Sequence, residues 1–404
     1  MAKCISVLFF ILMFVPSSPI RADAAQSCLA NPVATWAGKS RVMVGAMMED
    51  DIAEKAPFDL RYIYLAGQFP DQGDACNSCT SSCSVQGRSC SNSGGCNWWG
   101  CWQWDQLPPG AYVRDLISKS KELGQIPVLT YYTQLQASGA AEGRSQIAKA
   151  NDATFMRRYY NDFRFMLKQI GNERAIVHVE PDFWGEARNV NGNAAAIPAA
   201  VRSANSTDCS GEANTIAGFG ACLIKMARKY APNAKIGLHA SPWNISLNKN
   251  PGYDIEGDAR SVAQFLTSAG GGDLVVADLD DRDAAYHEIV EGRNIWWDAK
   301  NRWLPNYTQY LRWVTALTVA MQKPALLWQV PVGNGSMNNT YQHWMDNRVG
   351  YFFGHMGQLA AANVFGIAYG AGNTAQTNPS TDNGILATLT RTYVKAGGTA
   401  ACTP

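Results

Sequence analysis

Eight short apolar runs recur along the chain, at Arg41–Met48, Leu60–Gly67, Ile126–Tyr132, Ala175–Glu180, Lys235–His239, Asp273–Asp278, Ala325–Val330 and Val364–Gly370. Most are near-continuous and rich in β-branched residues, the mark of strands buried on both faces. Between them lie stretches with helical spacing: Tyr112–Leu123, Asp152–Ile170, Ala213–Tyr230, Asp258–Ser268, Asn306–Gln322, Asp346–Ala362 and Gly384–Lys395. Only Asp51–Ala56, after the first run, is short for a helix. Strand–helix alternation predicts a parallel sheet. Eight units in one chain of this length predict a closed α/β structure, a (β/α)8 TIM-type barrel occupying residues 25–404 as a single domain. An open doubly wound sheet is disfavoured, because no G-x-G-x-x-G or P-loop follows an early strand.

The longest segments outside this pattern all follow strands. Gly67–Pro109 follows the second, Glu186–Gly211 the fourth and Asp280–Tyr307 the sixth, with shorter ones, Met47–Asp51 and Ser241–Tyr253, after the first and fifth. In a barrel these connections build the C-terminal face, where active sites lie.

The exit of the fourth strand, AIVHVEPDFW from Ala175 to Trp184, is the densest chemistry in the chain. Strand alternation places His178, Glu180 and Asp182 on one face. The sixth strand brings Asp278 and Asp280, the fifth His239 followed by Trp243, the seventh Gln329, and the third Tyr131 or Tyr132. Carboxylates from non-adjacent strands meeting at a barrel mouth suit acid/base cleavage of a glycosidic bond. We therefore expect Asp182, Glu180, Asp278 and Asp280 to be catalytic. His178, His239, Trp184, Trp243 and Gln329 are expected to position sugar rings.

Two rival readings use the same residues. One is a non-catalytic carbohydrate-binding barrel. The other is a metal-dependent hydrolase built on His178, His239 and Asp278, although the H-x-H and H-E-x-x-H spacings are missing. The Asp278–Asp283 run is also a candidate calcium loop. No cofactor or resident metal is expected. No G-x-S-x-G elbow points to an esterase.

The chain begins as a secretory leader does: Lys3, an apolar run from Ile5 to Val15, and small residues at Ala22 and Ala24. Cleavage after Ala24 would export residues 25–404. Eleven cysteines include Cys4 in the leader, so ten remain, an even number that suits disulfides outside the cell. Cys28 and Cys402 are placed to join the termini, and Cys209 and Cys222 to close a local loop. The six from Cys76 to Cys101 would staple the long second connection in a pairing that spacing does not fix, with a zinc half-site at Cys76 and Cys79 as the alternative. A net charge of +1 with 17% charged residues argues against nucleic-acid and membrane partners. A monomer acting on a polysaccharide is expected. Sequons at Asn205, Asn244, Asn306, Asn334 and Asn338 are expected on surface loops.

Glu180-Pro181-Asp182 after an apolar strand resembles the E-P-D segment of the glycoside hydrolase family 6 cellulases. That resemblance implies that Asp182 is the general acid and that the substrate is a β-glucan. Pro70-Asp71-Gln72-Gly73-Asp74 is similar to the family's P-D-x-D element but one residue longer, and implies a helper or substrate-binding role for Asp71 or Asp74. The family's D-A-G-H signature is replaced by Leu238-His239-Ala240-Ser241, and its barrels typically have seven strands. Gln329 stands where the common retaining clan has a glutamate on strand seven, so that clan's mechanism does not transfer.

Overall fold

The computed structural model describes residues 28–69, 83–85, 88–90, 99–103 and 108–402. The leader, Asp71, Asp74 and the Cys76–Cys79 half-site lie outside the described residues, and so does the pairing of the six clustered cysteines. All eight predicted strands form: β1 (Met43–Met47), β2 (Leu60–Ala66), β3 (Ile126–Tyr132), β4 (Ile176–Val179), β5 (Lys235–Ala240), β6 (Leu274–Ala277), β7 (Ala325–Val330) and β8 (Val364–Tyr369). They pair in parallel in sequence order, and β8 returns to β1 to close the barrel. Eight-stranded closure departs from the seven strands that the family 6 resemblance implied. Between β2 and β3, Cys83–Val85 and Arg88–Cys90 make a small antiparallel ladder.

The main helices are α1 (Asn31–Trp36), α2 (Ala111–Glu122), α3 (Ala153–Ile170), α4 (Phe183–Val190), α5 (Ile216–Tyr230), α6 (Ile255–Ser268), α7 (Tyr307–Met321), α8 (Arg348–Gly354), α9 (Met356–Ala361) and α10 (Ile385–Lys395). Several starts carry side-chain caps: Asp152 accepts from Thr154 and Phe155 amides, and Thr215, Asp254 and Asn306 cap α5, α6 and α7. The stretch 346–362, expected as one helix, is broken at His355, which has non-helical backbone angles. Asn205, Asn306 and Asn334 are buried and hydrogen-bonded, so three of the five sequons cannot carry a glycan as folded. Asn244 and Asn338 are exposed.

Strand alternation divides the core in two. Tyr62, Val128, Ile176, Val276, Leu326 and Trp328 fill the barrel interior, and α1 plugs its lower end through Val33 and Ala34. Val177, Val179, Ile236 and Leu238 point outward against the helices, where α3 contributes Phe155, Phe163, Met166 and Leu167. Each such side chain, fully buried, stabilises the fold by about 1.5–3 kcal/mol. The interior is tight at Gly237, where an added Cβ would sit 2.4 Å from Leu274 Cδ1, so any larger residue would displace the inner layer. Disulfides join Cys28 to Cys402 and Cys209 to Cys222, as the spacing suggested. The first ties the two ends of the chain together beneath the barrel, and the second staples the long β4–α5 connection.

Candidate active site

The exits of β2 to β8 surround a groove in which the sequence-predicted residues divide into three groups. Asp182, Asp278, Asp280, Trp243 and Gln329 line a chamber of about 620 Å³. His178 and His239 lie in the layer beneath. Glu180 and Trp184 face elsewhere.

The division at β4 has a backbone cause. Alternation holds through His178, whose ring points inward, 4.7 Å from Trp328. The strand then ends, and Glu180 adopts φ 51° and Asp182 φ 64°. Left-handed backbone at non-glycine residues costs on the order of 1–3 kcal/mol each and needs local support. Glu180 supplies it. Its carboxyl turns behind the barrel and accepts from the amides of Thr133 (3.2 Å) and Gln134 (3.1 Å) and from the Tyr159 hydroxyl (2.8 Å). The expected shared face of His178, Glu180 and Asp182 is thus broken: Glu180 is 0% exposed and does not reach the groove. Burial drives its pKa up to about 8, against the pull of those three donors. Trp184 also departs from expectation. It is 1% exposed, stacks on Phe219 and donates to the Val179 carbonyl at 3.0 Å, a core and anchoring position rather than a sugar platform.

Asp182 faces the groove. Burial lifts its pKa to about 7; His239 opposes the shift, while Asp278, Glu142 and Asp281 add to it by like-charge repulsion. Asp182, His239 and Asp278 each present one atom within 4.8 Å of the others. Asp278, 13% exposed, has its Oδ1 3.5 Å from His239 Nε2. Neither of those two atoms has a hydrogen-bond partner among the described residues. Behind them, His239 Nδ1 shares a 3.0 Å hydrogen bond with His178 Nε2, and His178 Nδ1 one of 3.2 Å with Thr130 Oγ1. Burial, and then the neighbouring His239, hold His178 well below the usual imidazole range, so it is neutral. A Thr130–His178–His239 file therefore orients the imidazole that faces Asp278.

Asp280 lies in the same chamber but is committed. It is bonded to His287 Nε2 and Arg348 at 3.2 Å each. Burial would raise its pKa, yet these partners hold it below the usual carboxylate range. Arg348 is itself buried and also bonds Asp346 at 2.5 Å. Gln329 lines the groove with φ 56°, and its amide donates to the Tyr64 hydroxyl. Trp243, 39% exposed, stands on the rim.

Three features were not assigned from sequence. Tyr64 and Trp328 shape the groove with ring centroids 5.6 Å apart, and Arg348 pins Asp280. Tyr64 follows the inward positions Leu60 and Tyr62 at period two, so alternation contained it. Register also settles the third strand: Tyr132 lines the groove, while Tyr131 is buried and bonded to Asp162.

No protein-family model and no curated protein matches the chain. Similar solved structures include the endoglucanase Cel6 from Mycobacterium tuberculosis, at 12% identity over 57% of this chain and 59% of that one, with a TM-score of 0.30. A modular endo-β-1,4-mannanase of glycoside hydrolase family 26 from Cellulomonas fimi is 8% identical over 92% and 75%, with a TM-score of 0.46. A family 39 glycoside hydrolase from Bacteroides cellulosilyticus is 10% identical over 87% and 64%, with a TM-score of 0.42. The chain thus spans about three fifths of the endoglucanase's length.

Proposed function

We propose that the protein is an exported glycoside hydrolase acting on a polysaccharide, with Asp182 as general acid and Asp278 as the opposing carboxylate. One observation carries this reading: a carboxyl with its pKa raised to about 7 faces a second carboxylate within 4.8 Å in an open groove. An acid of that pKa is substantially protonated at neutral pH and loses its proton readily, the requirement for donating to a leaving oxygen. Asp182 would protonate the glycosidic oxygen as the C1–O bond breaks. The short separation favours direct attack on C1 by Asp278, giving a glycosyl-enzyme, over the wider gap of roughly 6.5–9.5 Å that admits a water. Water activated by Asp182, now ionised, would then release the sugar with its anomeric configuration retained.

The test is a polysaccharide panel with product anomers followed by NMR. Activity is expected to decline as pH rises through about 7, because the acid must be protonated. Products of inverted configuration would reject Asp278 as nucleophile, and an unchanged rate in Asp182→Asn would reject the whole assignment.

A second reading, a metal-dependent hydrolase, has one observation in its favour: the buried, unpartnered His239 Nε2 aimed at two carboxylates. Asp182, Asp278 and His239 would hold the ion. His178 would not, since both its ring nitrogens are engaged. Loss of activity on chelation, restored by a divalent cation, would select this reading over the first.

A further inference from the structure

A second chamber of about 510 Å³ adjoins the first, and the two share Tyr64, Tyr132 and Gly372 as lining residues. Its floor is apolar, with Met47, Met48 and Ile52 from the β1 exit, while the β8 exit supplies Asn373, Thr374 and Ser380. Apolar faces edged by amides and hydroxyls match the alternating C–H faces and hydroxyl rims of pyranose rings. Among the described residues its charged lining is Glu49 and Asp51.

The shared wall also lines the chamber that holds the acid. Asp182 lines the first chamber together with Tyr64 and Tyr132, and its charge adds to the upward shift that burial gives both phenols. Asp182 and Asp278 both line the first chamber and not the second. The two carboxyls therefore lie in a chamber that shares part of its lining with a second one roomy enough for further sugar units.

We propose that the second chamber is a binding site for further sugar units of an uncharged glycan, so that a chain lies through both chambers and is cut internally. This rests on the glycosidase reading. Glu49 and Asp51 would repel uronate- or sulfate-bearing chains.

The experiment uses the mature protein on hydroxyethylcellulose, mixed-linkage β-glucan, galactomannan and the anionic polygalacturonate, with di- to hexasaccharides of whichever neutral polymer is cut. Viscosity is expected to fall ahead of reducing-end release, and kcat/KM to climb at least about tenfold from di- to hexasaccharide, since remote contacts contribute to the transition state. Plugging the chamber from exposed positions, by Gln136→Trp or Ser380→Trp, should flatten that climb while leaving the melting temperature unchanged. Cleavage that releases only mono- or disaccharide from the start, with the plugged variants as active as the parent on hexasaccharide, overturns the second site and leaves the glycosidase reading standing. Preferred cleavage of polygalacturonate overturns the choice of an uncharged chain. No cleavage of any glycan by the parent overturns both.

Discussion

At the exits of β4 and β6, two pairs of carboxyls two residues apart, Glu180/Asp182 and Asp278/Asp280, each keep only one member unbound in the groove. At β4, Glu180 is removed by geometry: a left-handed residue swings it behind the barrel, where amides and a tyrosine hold it. At β6, Asp280 stays in the groove and is removed by charge, through Arg348 and His287. Of these four, Asp182 and Asp278 are the two that meet, with His239 beside them. A carboxylate count at a barrel mouth therefore overstates the chemistry. Environment, through burial for one carboxyl and ion pairing for another, decides which groups are free to react.

The largest effects should separate the free pair from the committed one. Asp182→Asn and Asp278→Asn are each expected to lower kcat by about 10²–10⁴, the usual worth of a positioned acid, base or nucleophile, with little change in glycan binding. Glu180→Gln, remote from the groove, should change kcat by less than about tenfold. Steady-state kinetics on a cleaved polysaccharide, with binding to each Asn variant followed by calorimetry, checks both. If Glu180→Gln proved as damaging as Asp182→Asn without loss of fold, the distinction drawn at β4 would be wrong.

Arg348→Met tests the commitment at β6. It strips Asp280 and Asp346 of a buried cation and leaves their charges without its compensation. Breaking a buried pair in this way typically costs 3–5 kcal/mol, so the urea midpoint should fall markedly. A variant as stable as the parent would show that Asp280 is less tightly held than its contacts indicate.

How far the sequence disclosed this arrangement depends on the range of the interaction concerned. The strands were legible because burial on both faces leaves a continuous apolar run, and two of the expected helical stretches began on the residues that cap them, Asp152 and Asn306. The groove residues Asp182, Asp278 and Trp243 followed from their place just beyond strand ends. The turn of Glu180 was not legible, because it depends on Thr133, Gln134 and Tyr159, all more than twenty residues away in sequence. The same holds for Asp280, whose partner Arg348 is 68 residues distant. Trp184 misled for a different reason: an aromatic beside two carboxyls reads as a sugar platform, yet its ring is captured by Phe219 from α5. Sequons misled likewise, since an Asn-x-Thr sequence at Asn306 serves a helix cap.

Glu180 offers a finer probe of the β4 exit through stability. Its folded pKa is about 8, above the ordinary 4.5. The folded state therefore holds more protons than the unfolded chain between those values. The stabilisation is complete below about 4.5 and is lost as pH rises through about 8, by an amount on the order of a few kcal/mol. Glu180→Gln cannot ionise and should flatten that part of the curve. Denaturation series from pH 4 to 9 on both proteins would show it; parallel curves would mean that Glu180 is ionised throughout and that its three donors outweigh burial.

The smallest expected effect lies on the rim. Trp243 rests against Gly185, where an added Cβ would come within 2.8 Å of its ring, so the helix α4 glycine fixes the indole's position. A stacked ring of this exposure contributes roughly 1 kcal/mol to binding, about fivefold in affinity. On the glycosidase reading the ring holds sugar at the rim, so that contribution should be equal in ground and transition states. Trp243→Ala is then expected to raise KM about fivefold with kcat unchanged, and Gly185→Ala to do the same more weakly by displacing the ring. A fall in kcat in either variant would move Trp243 from the rim of the comparison to its centre, as a residue that shapes the Asp182–Asp278 pair itself.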